Sequence, residues 1–321
     1  MLVGQSSQVS KLVMNAWADN TKTSYNTYLK QWGEFCVDKG IPDPYKGTFA
    51  QGAEFVAFLH LTKGMPFGTC AVARSALSAI LPKEDGCSFG ENEVVSKLMR
   101  GVFKSAPSLP KQVVIWDPVI MLGYLNSLPN NEELLLERLT KKLCTLLALL
   151  SGARCQTIAS LNLDFFHLDP SKSQLTFYIA KVLKTTRPGK HQAPLEFLAF
   201  PRNRKWCPID CFTNYFDRTR LIRENANVGN GQLVISYHAP FGPVTSSTVC
   251  RYVKLFLGEA GIDITAFTAH STRSSSTSKA KAVGLNLKDI IKAAGWRSEH
   301  CFRKHYDLPL KANFGLSLLN N

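Results

Sequence analysis

The sequence predicts a mainly α-helical protein with one small β-sheet, divided into an N-terminal helical domain and a larger second domain. Three observations carry this. Apolar residues recur at three- and four-residue steps over most of the chain, alternating residues occupy one central stretch, and one break is rich in proline and small polar residues. A length of 321 residues suits two domains.

In the first domain, residues 1–104, the series Tyr25, Tyr28, Leu29, Trp32, Phe35 and Cys36 marks one face of an amphipathic helix. Asn20, Thr21 and Thr23 offer N-caps, and Gly40 and Pro42 stop it. Tyr25, Tyr28 and Trp32 are read as helix core rather than as platforms for bases. A second helix is expected over 48–62, burying Phe55, Val56, Phe58 and Leu59. A third covers 68–81, closed by Pro82, and a fourth carries Val94, Leu98, Met99 and Phe103. Residues 105–112 hold two prolines and form the linker.

The second domain, 113–321, opens with Asp117-Pro118, an N-cap followed by a first-turn proline. A long helix is expected over 131–150, with Gly152 at its end. Two strands follow, 174–183 and 191–197, joined through the turn signal Arg187-Pro188-Gly189. Helices over 209–223, 245–260, 270–283, 286–294 and 298–306 complete the domain, and Gly261, Gly284 and Gly295 fall at helix ends.

The net charge of +14 is unevenly spread. Residues 1–112 hold 12 Lys/Arg against 9 Asp/Glu, whereas 113–321 hold 26 against 15, so the second domain suits a polyanionic partner. The nine cysteines are odd in number and scattered, as expected for core thiols of an intracellular chain. Cys207 and Cys211 are too loosely spaced for a CxxC pair, and Cys301 with His305 gives only two ligands, so neither metal nor cofactor is expected. No apolar run has membrane length, and residues 1–11 lack the layout of a secretion signal.

The chemistry-bearing residues cluster late. His270-Ser-Thr-Arg273 is followed by Ala-Ala-Gly295-Trp296 and by Tyr306-Asp-Leu-Pro309; upstream stands Ser151-Gly-Ala-Arg154. These boxes, in this order, resemble the catalytic domain of the tyrosine recombinases, including phage integrases and Xer-type enzymes. The resemblance covers about 113–309 by motif and 12–104 by helical pattern. Within the family, the wording of 269–280 is most similar to the recombinases of DIRS-like and Ngaro-like retrotransposons. Trp296 and Tyr306 stand one residue further apart than in the bacterial enzymes, which the 297–300 segment must absorb.

The resemblance implies a SAM-like core-binding domain followed by a DNA breaking-rejoining domain. It also implies a clamp on double-stranded DNA, a homotetramer on paired sites, and a nuclear location if the element is eukaryotic. A phosphodiester under attack gathers negative charge, which preorganised guanidinium forks relieve; Arg154 and Arg273 are the candidates. Tyr306 is the candidate nucleophile, forming a 3′-phosphotyrosine without ATP. His270 would take its proton or hydrogen-bond the phosphate, and Trp296 would donate its indole N–H. A hairpin lysine should protonate the departing 5′-oxygen. Lys184 is nearest the turn and Lys181 is its rival, the two pointing oppositely if the strand runs unbroken. The tail from Leu310 to Asn321 would dock on a neighbouring protomer or fold back. Two other readings compete: an inactive DNA-binding descendant, and a type IB topoisomerase-like relaxing enzyme.

Overall fold

The computed structural model describes residues 15–107, 115–184, 186–189, 191–225, 231–296 and 299–305, the side chains of 301, 304 and 305 excepted. The chain falls into two units, Met1–Lys111 and Gln112–Asn321. Residues 108–112 of the expected linker lie outside the described residues, as do Tyr306 and the tail.

Among the described residues, four helices build the first unit: α1 (Asp19–Asp38), α2 (Phe49–Leu61), α3 (Phe67–Ile80) and α4 (Glu93–Ser105). Their core centres on Trp32, Phe35, Phe55 and Leu59, all buried, with the Trp32 indole donating to the Pro44 carbonyl. Helix α2 begins with a full capping box between Thr48 and Gln51. Helix α1 starts earlier than its cap signals imply. The Thr23 hydroxyl bonds the Asp19 carbonyl at 3.0 Å, back along the helix, instead of capping it. Helix α4 buries Val95, Met99 and Val102, while Val94 and Phe103 of the expected face are exposed.

The second unit begins with α5 (Pro118–Ser127), capped by Asp117, and a 3-10 turn over Asn131–Glu133. The long helix expected from residue 131 is α6 (Leu136–Ser151). Asn131 is held apart from it: buried Lys142 donates to its side-chain oxygen at 2.7 Å, and its amide donates to Asp210 at 2.6 Å. Gly152 ends α6 in the left-handed region at φ 59°, and the short α7 (Cys155–Ala159) follows. Further on lie α8 (Pro208–Asn225), α9 (Ser246–Glu259), α10 (Ser271–Ala282), α11 (Leu287–Ala293) and α12 (Glu299–His305). Helix α6 is central, packing against α8, α9 and α10.

Among the described residues the sheet has three antiparallel strands, β1 (Phe166–Leu168), β2 (Gln174–Phe177) and β3 (Leu195–Leu198), in that order. Both expected strands are therefore shorter, and β1 was not expected at all. The β2–β3 ladder ends at Phe177 opposite Leu195. Beyond it the Tyr178 N–H points the other way, to the Phe165 carbonyl on the β1 side, as antiparallel alternation requires. Alternation therefore says nothing about Lys181 and Lys184, since neither lies in a strand.

Candidate active site

Five of the six sequence-predicted site residues lie among the described residues, all in the second unit. Gly152 turns the chain through a left-handed residue, and Arg154 then stands at the N-cap of α7 with extended backbone. Residues at i and i+3 share a helix face, so His270 and Arg273 at the start of α10 point the same way. Helix α10 is fixed to α5 from outside the site. The Trp116 indole donates to Ser271 at 2.9 Å, and Lys279 pairs with Asp117 at 3.4 Å.

Arg273 is only 1% exposed. Its guanidinium donates to the Gly152 carbonyl and lies 4.0 Å from the ring centre of Trp296, a cation–π stack. Trp296 follows Gly295, another left-handed residue at φ 63°, and its ring meets Phe302 edge-on at 5.0 Å.

His270 stays exposed at the surface, yet its pKa is lowered. Loss of water around the ring is the main cause, followed by the charges of Arg273, Arg154 and Lys184. All three cations thus lie within electrostatic reach of one imidazole. The exposed Lys184 is anchored by its neighbours, for Leu183 is buried and bonds both ways with Thr186. Lys181 is also exposed but borders a different hollow, beside Asn162 and Gln232.

The structure therefore brings Arg154, Lys184, His270, Arg273 and Trp296 together, and leaves Lys181 apart. Tyr306 lies outside the described residues. Two polar residues that the sequence did not flag, Thr157 and Gln192, line a slot with Arg154 and Arg273. Thr157 stands one turn along from Arg154; nothing in the sequence distinguishes Gln192. The arrangement is suited to binding a phosphate diester, with guanidinium, ammonium and a neutral imidazole around one point.

No protein-family model and no curated protein matches the chain. Solved structures do. The Tn1549 transposon integrase in complex with transposon right end DNA is similar at 13% identity, over 97% of this chain and 96% of that one, with a TM-score of 0.57. The XerH site-specific recombinase in its post-cleavage complex gives 16%, 86%, 73% and 0.56. A lambda integrase dimer bound to a COC′ core site gives 15%, 95%, 93% and 0.52. Such identities speak for the fold: mainly helical, with a small three-stranded sheet, it is that of the tyrosine recombinase core.

Proposed function

We propose that this chain is a site-specific DNA recombinase that breaks and rejoins duplex DNA through a phosphotyrosine on Tyr306. The observation that carries the reading is the convergence of Arg154, Arg273 and Lys184 on His270, with Trp296 stacked against Arg273. The role of Tyr306 rests on its place at the end of the motif series.

In this mechanism the two guanidiniums hold the nonbridging oxygens and offset the charge that grows on them. The Tyr306 oxygen forms a bond to phosphorus as the bond to the 5′-oxygen breaks. The phenolic proton passes to His270, whose lowered pKa keeps it neutral and able to accept. Lys184 gives its proton to the departing 5′-oxygen. Rejoining is the reverse, with the 5′-hydroxyl as nucleophile.

Duplex DNA as partner and four protomers as the working assembly are supported by the solved neighbours. These include XerH bound to a difH substrate and a lambda integrase tetramer bound to a Holliday junction. Service to a mobile element, with action in the nucleus, extends the reading; the wording of 269–280 supports it.

The test is covalent trapping on nicked suicide duplexes made from the terminal sequences of the encoding element. Wild type is expected to give a protein–DNA band on a denaturing gel, and Tyr306→Phe none while still binding. A band of equal strength from Tyr306→Phe would remove that residue as nucleophile. No band from either, with binding intact, would favour a non-cleaving DNA-binding protein.

A further inference from the structure

The loop carrying Lys184 has two feet. One is Leu183, buried and bonded to Thr186. The other is the run into β3, where Gln192 meets the turn that precedes Trp296. There the Gln192 amide nitrogen lies only 2.6 Å from where a side-chain carbon on Gly295 would stand. The close approach exists because residue 295 has no side chain, and its φ of 63° suits glycine as well.

Gln192 also borders the slot behind the two arginines, with Thr157, Lys292 and Gly295. The slot encloses about 10 Å³, whereas ligand pockets run to roughly 300 Å³ or more. Gln192 is half-buried, and its amide packs against the Gly295 turn.

We propose that Gln192 is a positioning residue, which keys the Lys184 loop onto the Gly295–Trp296 turn so that the proton donor and the Arg273–Trp296 stack keep one spacing. The inference rests on the recombinase reading above. It adds that Gln192 acts through the lysine, on departure of the 5′-oxygen.

That step can be isolated chemically. An alkoxide leaving group needs a proton; if sulfur replaces the bridging 5′-oxygen, the phosphorus–sulfur bond breaks to a thiolate that needs none. The experiment compares full-length wild type, Lys184→Ala and Gln192→Ala on the same nicked duplexes with oxygen or sulfur at that position. On oxygen, Lys184→Ala is expected to lose about 100-fold or more in cleavage rate. Gln192→Ala should lose about tenfold or more, since small displacements of catalytic groups are costly, with DNA affinity unchanged. On sulfur, both variants should return to near the wild-type rate. Gln192→Asn, which keeps the amide but shortens its reach by one methylene, should show the same sulfur-dependent recovery and serves if Gln192→Ala folds poorly.

Gln192→Ala cleaving the oxygen substrate at the wild-type rate would overturn the proposal. So would an equal loss on oxygen and sulfur, because Gln192 would then not act through the lysine. Wild type failing on both substrates would overturn the recombinase reading itself, and is distinguishable from either.

Discussion

A guanidinium taken almost wholly out of water must find its partners inside the protein, and Arg273 is served by a carbonyl and a ring. The Gly152 carbonyl accepts one N–H, and the Trp296 face lies flat against the charge. His270 beside it faces three cations and gives up water, so its protonated form is disfavoured. A base whose folded pKa is below its usual value of about 6.5 loses stability as pH falls through the interval between the two, and is neutral above it. Cleavage by wild type should therefore hold level from pH 8 to 7 and fall only in the acid range. In thermal melts, the loss of Tm between pH 7.5 and 5.5 should be smaller for His270→Gln, which cannot titrate. An equal acid loss in both proteins would mean that His270 carries no such penalty. Much of this residue-scale picture was legible beforehand: Arg154, His270, Arg273 and Trp296 stand in recognisable boxes. Gln192 was not legible, because its significance is a contact with a glycine a hundred residues away.

Among the elements, the joint between α6 and α7 has most to do. A left-handed Gly152 lets the chain reverse within three residues, bringing Arg154 to the start of α7 while the Gly152 carbonyl meets Arg273. A Cβ at 152 would stand 3.1 Å from the Thr277 methyl and 3.3 Å from Ala294. Gly152→Ala should thus cost the left-handed penalty of about 1–2 kcal/mol plus that crowding. A drop of several degrees in Tm and a larger relative loss of cleavage are expected. Adding Thr277→Ser, which removes the crowding methyl, should recover part of the Tm. No recovery would place the cost in the backbone and the Ala294 contact. Helices were the most legible elements, because burial on one face writes its period into the sequence, as along 48–62. The sheet was less so. Strands of three and four residues are too short for alternation to register. For that reason Lys184 and Lys181 were separable only in the folded chain.

At the scale of the molecule, positive charge and chemistry share the second unit, while the first has a core of its own around Trp32 and Phe55. The second unit is not uniform either. Its large core runs from Trp116 to Ala269, but Ile290, Ala294, Trp296 and Phe302 form a separate small cluster. Few apolar side chains hold it, each worth roughly 1.5–3 kcal/mol when fully buried. Amide hydrogens in α11 should therefore exchange with solvent well before those of α6 and α9, through openings that leave the large core intact. Exchange in α11 as slow as in α6 would show a single cooperative unit. If α11 does open first, Arg273 periodically loses the ring it leans on while Arg154 and the rest of the unit stay folded. The fraction of molecules competent at any instant would then be set by a local equilibrium, one that temperature or a bound duplex can shift without unfolding the protein.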